Sequence, residues 1–499
     1  MIREVIVLGG GTAGFVSALT IKIKLPHLRV RVIRSREIGI IGVGEGSTSD
    51  LPYHLHGYLG LDQTRFYREA KPTWKLGVRF LWGPRSHFNY TFTNQSSSHL
   101  EGTRKAHGFH MWDDFEDTDV NSSLMSRGKV FARMPNGLPD IRRNYAYHIE
   151  NALLVEYFER IAVERGIEIT DATVEYVERG DQGVASLTLN TGERVTADLY
   201  IDASGFRSEL LGKALGEPFK SYDDALFCDR AVAGGWERVG EPILPYTIAE
   251  TMDAGWAWQI EHEQHINRGY VYSSAFISGD EAEADFRKKN PKVKDTRIVK
   301  FRTGRHRRCW VGNVFAVGNA HGFVEPLEAT AIFVICQATR FLAGALDDND
   351  CNISPSMRDS CDNILRRLWD EIRDFLAIHY RYNTRLDTPF WQACRNDITL
   401  HGAAPIVEHY RENGPSMFAQ LDVLPPSSSL FQLDGFYTLL LGQKVPHERL
   451  HNPSPSDHAK FEQLRVRNAV VGKSGLTIPE AFAFIRHPNW TWTPGFFDK

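Results

Sequence analysis

Three features of the sequence predict an α/β chain in two modules. Residues 2–8 (IREVIVL) are a β-branched apolar run. The cluster Gly9-Gly10-Gly11-Thr12-Ala13-Gly14 follows, then a helical stretch (FVSALTIKIK), then a second strand-like run at 29–33 (RVRVI). That strand–turn–helix–strand order is the signature of a dinucleotide-binding βαβ unit. Far downstream, strand-like stretches end in Asp202-Ala203-Ser204-Gly205 and Gly318-Asn319-Ala320-His321-Gly322, so the chain returns to the first unit instead of continuing through regular βα repeats. After Pro326, helical periodicity dominates. Together these give a Rossmann-type nucleotide-binding core with an inserted sheet and loops over residues 1–335. A mainly helical, substrate-capping module follows over 336–499.

The elements follow in order. Residues 146–165 (AYHIENALLVEYFERIAVER) read as one amphipathic helix closed by Gly166. EITDATVEYVE, ASLTLN and ERVTADLYIDASG read as strands between glycine turns, and VFAVGNAHGF (314–323) as another strand entering a turn. LEATAIFVICQATRFLAGAL, NILRRLWDEIRDFLAIHYRYNTRL and SPSDHAKFEQLRVRNAVV read as helices, and PPSSSL (425–430) as a surface loop.

Composition narrows the function classes. The 499 residues carry 58 Lys+Arg against 62 Asp+Glu, a net charge of −4, which offers no electrostatic footprint for nucleic acid or an anionic membrane. No apolar run approaches the ~20 residues of a bilayer span. The opening MIREVIVLGGG lacks a signal-peptide pattern, so a cytoplasmic protein is expected. The six cysteines form no C-x-x-C and no zinc spacing, so buried thiols are expected, with no metal.

The glycines have distinct tasks in such a unit. Gly9 permits the tight turn, Gly11 admits a pyrophosphate close to the backbone, and Gly14 allows the helix to pack on the strand. The helix N-terminus offers free N–H groups to phosphate, with Thr12 and Ala13 in its first turn. The second strand ends in Arg34 where an acidic ribose-binding residue is usual, and Arg34 is read either as a phosphate contact or as an exposed side chain. The interleaved later strands favour FAD over NAD(P). No second complete G-x-G-x-x-G is found for a nicotinamide.

The chain also resembles the flavin-dependent halogenases of the tryptophan-halogenase type. The resemblance rests on GGGTAG (9–14), IGVGEGST (41–48), TWKLGVRF (73–80), GWAWQI (255–260), GNAHGFVEPLEAT (318–330) and IRDFLAIHYRYNTRLDTPFW (372–391), in the family's order. It implies a monooxygenase-like FAD fold, with FADH2 supplied by a separate flavin reductase. O2 and a halide, chloride or bromide, would yield hypohalous acid at the flavin. A tunnel would deliver that oxidant to a small electron-rich aromatic substrate, indole or an indole derivative.

Residue by residue, the resemblance places Gly44, Glu45 and Gly318 at the cofactor and Lys75 at the tunnel's end. Lys75 would hydrogen-bond hypohalous acid or form a haloamine, and a desolvated amine suits both. Glu328 would take the ring proton or orient the halogenating species, with Glu325 the less favoured alternative. The N–H groups of Thr330 and Ala331 would hold the halide. Trp256 and Trp258 would wall the arene from the flavin. Tyr90 and Phe92 would lie near the arene, while Phe431, Phe436 and Tyr437 read first as core.

Three departures from the family pattern stand out: Ala329 where Ser is frequent, Ala331 where Gly is frequent, and Glu261 where the W-x-W-x-I-P signature has Pro. An Ala at a position requiring φ > 0 would be strained. A flavin hydroxylase and a non-catalytic flavin-binding relative are the competing readings. Free tryptophan as substrate and a homodimeric state are left open.

Overall fold

A computed structural model describes residues 1–39, 44–93, 108–111, 115–142, 144–418, 424, 430–493 and 496–497. Residues 41–43 of the IGVGEGST segment and 425–429 of PPSSSL lie outside the described residues.

Strand β1 (Glu4–Leu8), helix α1 (Thr12–Lys24) and strand β2 (Arg29–Arg34) form the expected unit. β1 lies inside a six-stranded sheet whose order is Glu168–Asp171, β2, β1, Leu199–Asp202, Val314–Ala316, Trp310–Val311. All its pairings are parallel except the last, so the downstream strands do return beside β1. Val5, Val7, Val30 and Val32 are buried, as both faces of a parallel sheet require. A Cβ on Gly14 would sit 1.9 Å from the Gly9 carbonyl oxygen, so only glycine allows α1 this close to the turn.

The stretch 146–165 divides. Ala146–Ile149 is a strand, and helix α2 starts at Asn151 and ends at Glu164. Tyr147 and Ile149 suit a fully buried strand, and this one pairs on both edges, with Glu45–Gly46 and with Thr73–Lys75. Two sets of ladder bonds outweigh the local helical periodicity. After Pro326 the chain makes one 3₁₀ turn (Pro326–Glu328), and helix α3 begins only at Ala331, running to Asp348. Ala329 interrupts the two in a left-handed conformation (φ 55°, ψ 36°).

A seven-stranded sheet forms the second layer, in the order Thr296–Lys300, Arg230–Glu237, His265–Tyr272, Gly255–Glu261, Thr247–Met252, Gly77–Leu81, Phe88–Thr91. Helix α4 (Pro355–Arg381), capped by Ser354, is the longest. The helix Pro455–Ser474 starts with a Ser454/Asp457 capping box. Position 335 lies inside α3, and the two largest cores each draw residues from both sides of it. The six cysteines are buried free thiols. Among the described residues, no helix is long and apolar enough to cross a membrane.

Candidate active site

The glycine turn floors a cleft of about 460 Å³ lined by Gly9–Ala13, Ala203–Arg207, Glu45, Asn319 and Ala331. Gly11 caps α1 with no side-chain hydrogen bond, and the first turn of α1 holds no acid, so its N–H groups face the cleft free for an anion. A Cβ on Gly11 would meet nothing within 4 Å, so its bareness is not needed for packing and leaves room for a ligand. Gly14 and Gly318 shape the cleft from behind; a Cβ on Gly318 (φ 60°) would press on Ala13. Arg34 lines this cleft and is not the exposed side chain of one expectation. Its stem packs under Gly10, and its buried guanidinium pairs with Glu159 (2.5 Å) and Asp171 (3.0 Å).

The cleft runs on into a second cavity of about 140 Å³, sharing Glu45, Phe206, Asn319 and Ala331 with it. Gly44, Gly46, Thr247, Trp258, Ile260, Pro326 and Ala329 also line this inner cavity. A polar cleft floored by helix N–H groups and continuing into a mainly apolar cavity fits a dinucleotide carrying an apolar ring system. Glu45 stands where the two meet. Its Oε2 is buried and has no partner among the described residues, and burial raises its pKa to about 7, partly opposed by Asn151. An orphaned buried oxygen at this junction is suited to the hydroxyls of a flavin's linker.

Lys75 lies directly behind the inner cavity. The small sheet Glu45–Gly46, Ala146–Ile149, Thr73–Lys75 holds it there, with Glu45 and Gly46 on one edge and Lys75 on the other. A methyl group placed on Gly46 would lie 3.1 Å from Lys75 Nζ, 3.4 Å from Ala329 Cβ and 3.5 Å from Thr247 Oγ1. The separating wall is therefore one residue thick, and it is thin because residue 46 has no side chain. Lys75 is fully buried, its Nζ has no hydrogen-bond partner among the described residues, and desolvation lowers its pKa to about 8 against the opposing pull of Glu328. Its Nζ sits 5.5 Å from the centre of the Phe92 ring.

Glu328 is also buried, and its Oε1 lies 2.7 Å from His379 Nε2. Glu325 belongs to a separate network. Its Oε1 accepts from Tyr380 O–H and from Trp256 Nε1–H (3.3 Å), its Oε2 has no partner among the described residues, and burial raises its pKa to about 7. Trp256 and Trp258 share one face of their strand, with ring centres 6.2 Å apart. Trp258 lines the inner cavity, and Trp256 reaches away to Glu325. Glu261, in place of Pro, is buried and paired with Arg238 and Gln259.

The strain expected at Ala331 is absent, because Ala331 is the first residue of α3 and the left-handed residue is Ala329. Thr330 and Ala331 head that helix with no side-chain cap, which leaves their N–H groups available to an anion. Tyr90 packs 6.0 Å from Phe375, which stacks on Phe431 at 3.7 Å; Phe431, Phe436 and Tyr437 are core residues of this aromatic cluster. Gly46, His148, Thr247 and His379 were not found from the sequence. His148 Nε2 lies 2.8 Å from Thr247 Oγ1, and burial together with Lys75 holds its imidazole well below the usual range, hence neutral. Two of this set lie in motifs the sequence shows, Gly46 in IGVGEGST and His379 in the 372–391 segment, while His148 and Thr247 carry no such signal.

The tryptophan halogenase family profile matches residues 4–456. The chain belongs to the tryptophan halogenase family. It is thus a flavin-dependent aromatic halogenase. It is 33% identical over 475 residues to the 7-chloro-L-tryptophan 6-halogenase KtzR of Kutzneria sp. (strain 744), spanning 86% of this chain and 90% of that one. It is 30% identical over 448 residues to the tryptophan 7-halogenase RebH of Lentzea aerocolonigenes, spanning 82% of each. Among solved structures, the fold is similar to that of MibH, a lanthipeptide tryptophan 5-halogenase, with a TM-score of 0.90 and 38% identity over 98% of this chain and 94% of that one. Xcc4156, a flavin-dependent halogenase from Xanthomonas campestris, gives 0.85 and 28%, over 99% and 100%.

Proposed function

We propose that this halogenase takes reduced FAD from a separate reductase and installs chloride or bromide on the indole ring of a tryptophan carried within a peptide. The observation that carries the chemistry is the buried, unpartnered Lys75 amine one residue from the flavin-ring cavity. Bound as FADH2, the flavin would supply the two electrons that reduce O2 to the peroxide level, the oxidant that converts halide to hypohalous acid. The N–H groups at the head of α1 would hold the pyrophosphate, Glu45 the linker hydroxyls, and the N–H groups of Thr330 and Ala331 the halide. Trp258 and Ile260 close the inner cavity against water. On the far side of the wall, Lys75 receives the oxidant. It has no competing partner, and near pH 8 it divides between the amine and ammonium forms. Glu328 takes the proton released when halogen replaces hydrogen on the ring. The peptide reading rests on the likeness to MibH.

The test supplies FAD, NADH, a flavin reductase, halide and three acceptors: indole, free tryptophan and a tryptophan-containing peptide. A halogenated peptide formed with the highest kcat/KM supports the proposal. Preference for a free acceptor overturns the peptide assignment, and halide-independent hydroxylation overturns the chemistry. Glu328→Gln should slow ring halogenation by about 10²–10⁴ with bound FAD unchanged, and an unchanged rate would remove Glu328 from proton acceptance.

A further inference from the structure

The sequence motif at 372–391 contains a histidine–tyrosine pair, His379-Tyr380, that none of the roles above uses. In the structure the pair reaches the two carboxyls of one short turn. His379 meets Glu328, and Tyr380 meets Glu325. Both side chains project from the last turns of α4, and both carboxyls are buried.

The hydrogen bonds of His379 fix its protons. Its Nδ1 lies 3.0 Å from the carbonyl oxygen of Phe375, one turn back on the same helix. A carbonyl only accepts, so Nδ1 carries a hydrogen. If the ring were neutral, Nε2 would then bear a lone pair, and a lone pair cannot bond an ionised carboxylate. The 2.7 Å contact to Glu328 Oε1 therefore contains one shared proton. Two features place it on the imidazole. The negative end of the α4 dipole lies at His379, in the last turn of the helix. A charge-assisted N–H to a carboxylate is also the stronger bond. The ring is held between Trp82, Phe80 and Phe375 and cannot swing away.

We propose that His379 is a positioning residue for halogenation: it fixes Glu328 by one oxygen and leaves the other oxygen to take the ring proton. The inference rests on the reading of Glu328 as proton acceptor. His379 does not carry that proton onward, because its far nitrogen ends on a carbonyl with no proton capacity. The proton leaves through Glu328 itself. The other ionisable groups facing the pair are Lys75, from the strand Thr73–Lys75, and Tyr90, from the strand Phe88–Thr91; both feel the charge of Glu328.

The test compares His379→Phe, His379→Gln and Glu328→Gln. His379→Phe keeps a ring in the aromatic box and removes the N–H. Its kcat for ring halogenation should fall about 10–100-fold, with the KM for the arene and FAD affinity by fluorescence titration unchanged. His379→Gln, whose amide N–H reaches the same oxygen, should stay within about threefold of wild type. A wild-type rate in His379→Phe, or an equal loss in both His379 variants with FAD still bound, overturns the inference. Glu328→Gln separates the two levels. If it too leaves the rate unchanged, the reading of Glu328 fails. If it slows the reaction while His379→Phe does not, only the role of His379 fails.

Discussion

The nucleotide cleft offers its ligand mainly backbone: N–H groups at the head of α1, and bare α-carbons at Gly9, Gly10 and Gly11. The region behind Gly46 is built from side chains, the buried groups of Lys75, Glu328, His379, Thr247 and His148. Backbone sites cost little stability because their polar groups belong to regular elements. Side-chain sites keep ionisable groups out of water, and the fold bears that cost.

The largest expected break in this contrast is at Lys75. Lys75→Met should reduce ring halogenation on the order of 10²–10⁴-fold while FAD affinity stays at the wild-type value, read by product chromatography and fluorescence titration. It should also raise stability. Burial lowers the Lys75 pKa from 10.5 to about 8. Below pH 8 both folded and unfolded states hold the proton, and the folded state bears the full desolvation cost. Between pH 8 and 10.5 only the unfolded state stays protonated, so wild-type stability should rise with pH there by up to about 3 kcal/mol. The Met variant should be more stable at pH 7 and lack that rise. Equal stability at pH 7 would show that the ammonium is hydrated in the folded protein.

At the backbone end, Gly11→Ala should weaken FAD binding by about tenfold or more with no change in Tm, since the new methyl touches no protein atom and can obstruct only a ligand. A fall in Tm with unchanged affinity would reverse that reading. Gly46→Ala probes the wall between the two regions. Ring halogenation should fall about tenfold while hypohalite trapped in bulk solution rises, because a methyl group narrows the way to Lys75. Parallel loss of both products would place the fault at the flavin instead.

The smallest effect concerns Glu325. Burial raises its pKa from 4.5 to about 7, so the folded state keeps a proton that the unfolded state loses between those values, and stability falls as pH rises through that window. Glu325→Gln should flatten part of that decline, by about 1–3 kcal/mol, in denaturant titrations at pH 5 and 7. An unchanged slope would mean that Tyr380 and Trp256 already support the ionised form.

The sequence by itself determined the βαβ unit, its cleft and the return of the later strands, because a glycine turn, a helix start and a buried strand are set by neighbours a few residues apart. Its family motifs also named Lys75, Glu328 and the tryptophan pair. Tertiary structure alone decided that Ala146–Ile149 is the strand between Gly46 and Lys75, since pairing on two edges overrode helical periodicity. It alone brought His379 to Glu328, 51 residues apart in the chain, put the left-handed residue at position 329, and paired Arg34 with Glu159 and Asp171. The physical reason is that a buried charge is set by what surrounds it, and those partners arrive only when distant segments pack.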